Sequence, residues 1–359
     1  MSPTRIYLDH AATTAVRPEA VRAMADALSR WANPSSPHAE GRAARRALED
    51  ARARIAAAHG WTGSVLLTGG ASESLAIALG RAGVERRFVS AVEHDAVFRA
   101  ATDARVLPVG SDGLVAPAAL ADAIAGPGRA LVAVQWANSE TGVRQPIAAI
   151  AEVVRAAGHL LLVDAAQMPA NGDPDVAAHA DFVALSGHKR GGPPGAGALL
   201  VRDLGALAPT GGQEFGYRPG TENLPAVLGY AAALVEPEPV ERWAAMRARL
   251  DDAVRRSGGQ VVGDGSPRHP AIGAYRMPGT ASAAQLIRFD LAGFAVSAGS
   301  ACASGSLKPS HVLAAMGWTE TAGREVVRVS FGRDTSDEEV DAFIVAWRRV
   351  ARETRSFAA

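Results

Sequence analysis

The chain has 359 residues, which exceeds the length that one hydrophobic core usually serves, so two domains are expected. Hydrophobic residues make up 48% and charged residues 21% of the chain, a composition typical of soluble globular proteins. Lys plus Arg and Asp plus Glu both total 37, and the resulting net charge of zero argues against a nucleic-acid surface or a membrane-binding patch.

Cys302 is the single cysteine, so the chain cannot form an internal disulfide. The N-terminus lacks the basic start and apolar run of a secretory signal, and no apolar run approaches the ~18 residues of a membrane span. We therefore expect a cytoplasmic protein, because a lone thiol stays reduced there.

Short apolar runs alternate with amphipathic stretches along the first two thirds of the chain. This alternation predicts a mostly parallel sheet with helices on its faces. The predicted strands are 65–67, 87–89, 130–134, 160–163, 182–185 and 198–201, and the predicted helices are 38–58, 117–124 and 146–157.

The pattern changes near residue 236, where Pro237 and Pro239 interrupt the chain. The remainder predicts helices at 240–256, 282–289 and 337–352 and strands at 259–262, 271–276 and 325–330. We expect a large domain over 16–236, and a small α+β domain over 1–15 and 237–359 that carries Cys302.

The segment 160–201 contains two strand-like runs that each end in polar residues. The first ends at Asp164 and the second reaches Lys189. In open α/β sheets, ligands bind at the carboxyl ends of strands, so both side chains can face one ligand. Pyridoxal phosphate needs both, because a lysine forms the Schiff base and a carboxylate holds the pyridine nitrogen protonated.

A phosphate cradle is predicted at TGGASES, residues 68–74, which follows a strand and opens a helix at about Ser72. Backbone N–H groups at a helix start and the Ser72 hydroxyl suit an anion. Taken singly, a polar residue at a strand end is usually only solvated, and many glycine-rich turns bind nothing. Their occurrence together and in this order favours a pyridoxal phosphate site.

Nearly the whole chain resembles the cysteine desulfurases of the NifS/IscS type, which are class V aminotransferase-like enzymes of fold-type I. The matching blocks are YLDHAATT (7–14), NPSSPHAEGR (33–42), TGGASES (68–74), EHDAV (93–97), ANSETGVRQP (137–146), VDAAQ (163–167), SGHK (186–189), GGQEFGYRPGTEN (211–223), SAGSACASGSLKPSHVL (297–313) and VRVSFGR (327–333). The resemblance implies an α/β, fold-type I, pyridoxal-phosphate-dependent transferase. Its large domain would hold a mostly parallel seven-stranded sheet, beside a smaller α+β domain.

The resemblance also implies roles for residues around the cofactor. Lys189 would form the Schiff base, Asp164 would pair with the pyridine nitrogen, and Gln167 would bond the phenolic oxygen. His94 would stack on the ring and act in proton transfer. The residues implied to hold the phosphate are Ala71, Ser72, Ser186 and His188, with Thr221 reaching the phosphate of a neighbouring subunit in a homodimer.

For the substrate, the resemblance implies that Arg328 clamps the carboxylate of L-cysteine and that Cys302 is the nucleophile. Asn138 and Ser139 would lie on the substrate side. The family usually has Asn at the position of Ser139, whose shorter reach predicts a change in substrate affinity or preference. The family's Gly-Pro-Lys-Gly becomes Gly-Pro-Pro-Gly here, with Pro194 in place of the lysine.

Several of these residues also have simpler interpretations. His94 could be an ordinary residue at a helix start, and Thr221 could only cap a helix. Arg328 could serve a structural ion pair, and Arg333 competes with it as the substrate clamp.

The function implied by the resemblance is sulfur removal from L-cysteine, which gives L-alanine and a persulfide on Cys302. The persulfide would pass to an acceptor or scaffold protein for iron–sulfur cluster assembly or thiolation. No metal, nucleic acid or membrane is expected at the site. The alternatives are a selenocysteine lyase or a small-amino-acid transaminase of the same fold, and a non-catalytic binding protein built on it.

Overall fold

The computed structural model describes residues 5–299 and 309–356, so Cys302 lies outside the described residues. The strands are β1 (Ile6–Tyr7), β2 (Ser64–Thr68), β3 (Arg86–Ser90), β4 (Arg105–Leu107), β5 (Ala130–Gln135), β6 (Leu160–Asp164), β7 (Phe182–Ser186), β8 (Gly197–Val201), β9 (Gln260–Val261), β10 (Ile272–Arg276), β11 (Phe294–Ala295) and β12 (Val326–Ser330). The helices are α1 (Pro18–Ser29), α2 (Ala39–Ala58), α3 (Ala71–Arg81), α4 (Asp95–Ala100), α5 (Pro117–Ile124), α6 (Ile147–Ala156), α7 (Pro174–His179), α8 (Leu224–Ala233), α9 (Val240–Arg256), α10 (Ser282–Leu291), α11 (His311–Ala315), α12 (Glu320–Gly323) and α13 (Asp337–Ser356).

A seven-stranded sheet forms the centre of the fold, with the order β2-β8-β7-β6-β5-β3-β4. Every neighbouring pair is parallel except the two that involve β8, which runs antiparallel to both β2 and β7. All residues of β5, β6, β7 and β8 are buried, as expected where helices cover both faces. The predicted mostly parallel seven-stranded sheet is confirmed.

The apolar runs in the sequence predicted six of the seven strands of this sheet and missed β4. This edge strand has only three residues, and Arg105 and Val106 are exposed, so Leu107 alone carries the burial signal. The long helix predicted at 38–58 is confirmed as α2, which begins after His38. The His38 side chain accepts a hydrogen bond from the Gly41 N–H.

A second hydrophobic core lies around the three-stranded antiparallel sheet β12-β10-β9 and the helices α9, α10 and α13. Aromatic rings dominate it, and Phe289 stacks on Trp347 with the ring centres 6.0 Å apart. Leu8, from the N-terminal segment, is fully buried in this core. Separate cores support a two-domain chain, and the predicted limits at residues 15 and 236 stay a prediction.

Within residues 5–299 and 309–356, no helix combines the length and the apolar character that crossing a bilayer requires.

Candidate active site

A cavity of about 720 Å³ opens at the carboxyl ends of β5, β6 and β7, beside the second core. Eleven of the residues predicted from the sequence line it together: Ala71, Ser72, His94, Asn138, Ser139, Asp164, Gln167, Ser186, His188, Lys189 and Arg328. They come from six separate parts of the chain, and the fold brings them to one place. Pro194 lines the cavity as well.

Two adjacent parallel strands place the acid and the lysine. Asp164 ends β6 and is 8% exposed, and its Oδ1 accepts a hydrogen bond of 3.0 Å from the Ala166 N–H. Ser186 ends β7, and a single 3₁₀ turn over Gly187–Lys189 follows. Because parallel strands end at the same edge of the sheet, the polar residues at the ends of β6 and β7 lie beside one cavity, as predicted.

The start of α3 forms one wall of the cavity. Gly70 precedes the helix with a φ of 146°, a conformation that favours glycine. The neighbouring Gly197 must also be glycine, because a Cβ atom there would lie 2.5 Å from the Gly70 Cα. Backbone N–H groups at the start of this eleven-residue helix therefore remain accessible to an anion, beside Ser72.

His188 and His94 both line the cavity, and burial lowers the pKa of each ring. Burial is the main cause that lowers the pKa of His188 to about 4, and Lys189 and Arg190 add to it. Burial also lowers the pKa of His94, although Asp164 raises it. His94 Nδ1 accepts from the Ala96 N–H at 3.1 Å at the start of α4, so Nε2 carries the proton in the neutral ring. His94 is therefore a helix-start residue that also lines the cavity.

Gln167 is 3% exposed and donates from Nε2 to the Ala11 carbonyl at 3.0 Å. Its Oε1 is buried and has no hydrogen-bond partner in the described part of the chain. A buried polar atom without a partner is costly, so this amide is ready to interact with a polar ligand in the cavity.

Arg328 lies in β12 and is 3% exposed. Its Nη2 forms an ion pair of 2.6 Å with Asp9, and its Nη1 donates to the Ser139 carbonyl at 2.9 Å. The structural ion pair that we considered from the sequence is thus real, and the side chain still lines the cavity. Arg333, its competitor, instead donates to the Glu236 carbonyl at 2.7 Å and does not line this cavity.

Asn138 organises the turn that contains Ser139, whose carbonyl accepts from Arg328. Its Oδ1 accepts from the N–H groups of Glu140 and Thr141 at 2.9 and 2.8 Å, and its Nδ2 donates to the Val92 carbonyl at 2.9 Å. These bonds hold Ser139 at the cavity wall. The role predicted for Asn138 at the substrate stays a prediction.

Two predicted residues are not among those that line the cavity. Thr221 is exposed, and it does not cap α8, because the Asn223 side chain accepts from the Ala226 N–H at 3.2 Å and fills that position. Cys302 lies outside the described residues. His311 and Val312, at the start of α11, line the cavity.

Glu93 was not among the predicted site residues, yet it is a fully buried residue of the cavity wall. Its Oε1 accepts from the Ser90 hydroxyl at 2.7 Å and from the Gln135 N–H at 2.8 Å, whereas Oε2 has no partner within the described ranges. Burial, with a smaller effect of Asp164, raises the pKa of Glu93 to about 8. The only signal in the sequence was its position beside His94 in EHDAV.

The site therefore combines a lysine, a buried carboxylate, an accessible helix start and a buried arginine around one volume. Among the residues that the structure describes, no group of three or more His, Cys, Asp or Glu side chains is placed to hold a metal ion.

The chain is similar to known proteins over almost its full length. The family model described as Aminotransferase class-V matches residues 6–343. A cysteine desulfurase from Cereibacter sphaeroides is 35% identical over 366 residues, which cover 95% of this chain and 94% of that protein.

Solved structures also match this chain over nearly its full length. A NifS-like protein from Rickettsia africae superposes with a TM-score of 0.86 at 29% identity, and the match covers 97% of this chain and 99% of the other. The structure of SspA in complex with cysteine superposes with a TM-score of 0.78 at 28% identity, covering 93% and 100% of the two chains.

Proposed function

The chain belongs to the aminotransferase class-V family and, within it, to the cysteine desulfurases, and on this premise we propose that it takes sulfur from L-cysteine, giving L-alanine and a persulfide on Cys302. The observation that carries the proposal is that Lys189, Asp164 and the start of α3 line one cavity. A neighbour of the same fold, SspA, has been solved in complex with cysteine, which supports cysteine as the substrate.

We propose pyridoxal phosphate as the cofactor, and the cavity fits it. The unpartnered Gln167 Oε1 and the accessible start of α3 offer polar contacts for a ring substituent and a phosphate. The residues that would hold the cofactor are Ala71, Ser72, His94, Asp164, Gln167, Ser186, His188 and Lys189. When bound, the group supplies an electron-accepting ring that stabilises the charge left when the substrate loses its Cα proton.

The proposed roles of the surrounding side chains follow from their chemistry. The Lys189 amine would hold the cofactor and would take the Cα proton of the substrate at Nζ. Asp164, a buried carboxylate at a strand end, would hold a proton at the ring nitrogen. His94 can donate a hydrogen bond only through Nε2, because its Nδ1 is occupied by the Ala96 N–H.

At the substrate end, Arg328 binds the α-carboxylate, since guanidinium and carboxylate match as planar partners. Cys302 accepts the sulfur, and its surroundings of glycine and serine suit a loop that carries the persulfide to an acceptor protein. That acceptor would serve iron–sulfur cluster assembly or thiolation. A free thiol needs reducing surroundings, which supports a cytoplasmic location.

We also propose a homodimer. Thr221 is exposed and lies apart from the residues that line its own cavity, so it is available to a neighbouring subunit. The contact implied by the family resemblance would place it at the phosphate of that subunit.

Three proteins test the proposed function: the wild type, Lys189→Ala and Cys302→Ser. The wild type, loaded with pyridoxal phosphate, should show the cofactor's absorbance band and release alanine and sulfide from L-cysteine in the presence of a reductant. Lys189→Ala should lose the band of the covalently attached cofactor. Cys302→Ser should keep that band and lose sulfide release.

Full activity of Cys302→Ser without added thiol would disprove the nucleophile assignment. A wild-type protein that never acquires cofactor absorbance would favour the non-catalytic binding protein instead.

The second candidate function is a selenocysteine lyase or a small-amino-acid transaminase. The observation that favours it is Ser139, which replaces the asparagine usual in the family and lines the cavity beside Arg328. Alanine formed from selenocysteine but not from cysteine would support the lyase. Amino-group transfer to a 2-oxo acid would support the transaminase.

A further inference from the structure

The N-terminal block YLDHAATT has no part in the roles assigned so far, yet it contacts three predicted site residues. Asp9 pairs with Arg328 at 2.6 Å, and the Ala11 carbonyl accepts from Gln167 Nε2 at 3.0 Å. The Thr13 hydroxyl lies 3.1 Å from His188 Nδ1. One short segment therefore reaches both the cofactor end and the substrate end of the cavity.

This segment is itself firmly held by the second core. Leu8 N–H donates to the Ala295 carbonyl at 2.9 Å, and Ser330 N–H donates to the Leu8 carbonyl at 2.8 Å. The Ser330 hydroxyl also accepts from the Ala11 N–H at 2.9 Å. Because hydrogen bonds at Leu8 and Ala11 flank Asp9 on both sides, the Asp9 backbone is held in place, and its carboxylate contacts Arg328.

Arg328 needs such a partner. Its side chain is 3% exposed, Asp9 is its only carboxylate within the described residues, and its buried Nε has no partner there. The two bonds that it makes join its guanidinium to different segments, since Nη2 bonds Asp9 and Nη1 bonds the Ser139 carbonyl. These two bonds restrict rotation of the planar group, and one further N–H on each of Nη1 and Nη2 remains for a ligand.

We propose that Asp9 is a positioning residue: its carboxylate fixes the plane of the Arg328 guanidinium, so that the remaining N–H groups meet the α-carboxylate of an amino-acid substrate. The identity of that substrate rests on the proposed function. The geometry of the ion pair does not.

The test uses the enzyme loaded with its cofactor and two probes, L-alanine and L-alaninamide, whose binding is followed through the cofactor's absorbance. The amide lacks the carboxylate that Arg328 would bind. We expect Asp9→Ala to raise the Kd for L-alanine about tenfold or more, as loss of a charge-assisted contact does, and to change the Kd for L-alaninamide less than about twofold. Asp9→Asn keeps an acceptor oxygen and should fall between Asp9→Ala and the wild type.

Asp290→Ala is the matched control, because Asp290 pairs with Arg5 at the surface of the same region and both side chains are more than half exposed. This variant should leave both Kd values unchanged. If Asp9→Ala does not fold, Asp9→Asn takes its place, measured alone and together with Arg328→Ala. In the Arg328→Ala background the Asp9→Asn change should have no further effect on L-alanine binding.

Three results would overturn the proposal: an unchanged Kd for L-alanine, an equal rise for both probes, or tighter L-alanine binding, which would mean that Asp9 mainly repels the carboxylate. These results are distinct from a failure of the proposed function. A wild-type enzyme that binds the cofactor and makes alanine from L-cysteine supports the function whatever the Asp9 variants do.

Discussion

Glu93 offers a sharp test of the electrostatics of the site. It is fully buried on the cavity wall, and burial together with Asp164 raises the pKa of its carboxyl from 4.5 to about 8. The substitution Glu93→Gln keeps the size and an acceptor oxygen for Ser90 and Gln135, and removes the titration. The variant therefore isolates the contribution of this one proton to the free energy of unfolding.

The sign and size follow from proton linkage. Below pH 4.5, Glu93 is protonated in both the folded and the unfolded chain, so its contribution to stability is fully present. Between pH 4.5 and about 8 the unfolded chain loses the proton while the folded chain keeps it, so the free energy of unfolding falls as the pH rises. At about 1.4 kcal/mol per pKa unit, the loss is on the order of 5 kcal/mol and levels off above pH 8.

The assay is urea unfolding of the wild type and Glu93→Gln at a fixed protein concentration, from pH 5 to pH 9. We expect Glu93→Gln to be close to neutral at pH 5 and to be the more stable protein at pH 9. Glu241→Gln, at an exposed position near the start of α9, is the control and should follow the wild type. If Glu93→Gln and the wild type lose stability in parallel over this range, Glu93 is ionised in the folded chain and the reasoning fails.

Two further substitutions test the structure around the site. Glu214→Gln removes a fully buried carboxylate whose Oε2 lies 2.5 Å from Arg52 Nη1. The buried positive charge of Arg52 then has less negative charge beside it. In urea unfolding, the free energy of unfolding should fall by about 3 kcal/mol. A fall of less than about 1 kcal/mol would contradict the idea that this ion pair contributes strongly to stability. Gly197→Ala places a Cβ atom 2.5 Å from the Gly70 Cα and should weaken retention of pyridoxal phosphate about tenfold or more in equilibrium dialysis. Gly80→Ala, which meets no atom within 4 Å, is its control, and equal retention in both variants would refute the cradle at α3.

Much of the central sheet could be predicted because its strands are buried on both faces. Continuous apolar runs such as 160–163 leave a clear signal, and the polar residue Asp164 that follows this run lies at the edge of the sheet where the cavity opens. The strand Arg105–Leu107 left almost no signal, since an edge strand of three residues buries only one side chain. The number of strands came from the family resemblance and not from the runs, and the order of the strands was not predicted.

The site was predictable where its residues fall in recognisable blocks, as Lys189 and Asp164 do. What escaped prediction are properties that arise only when distant segments meet. Asp9 and Arg328 are 319 positions apart, and no feature of YLDHAATT or VRVSFGR indicates that the two residues pair. The burial of Glu93 likewise depends on the fold around it, so its raised pKa could not be inferred from the letters EH.

Arg328 lies on a strand of the second core, whereas Asp164 ends a strand of the seven-stranded sheet and Lys189 lies in the turn after the next strand. With the roles proposed above, substrate recognition and cofactor chemistry would belong to different layers of the molecule. Directed evolution of substrate choice can concentrate on Asp9, Ser139 and the neighbours of β12 while the cofactor cradle is left untouched. The same separation gives natural variation a way to change the amino acid that is accepted without rebuilding the catalytic centre.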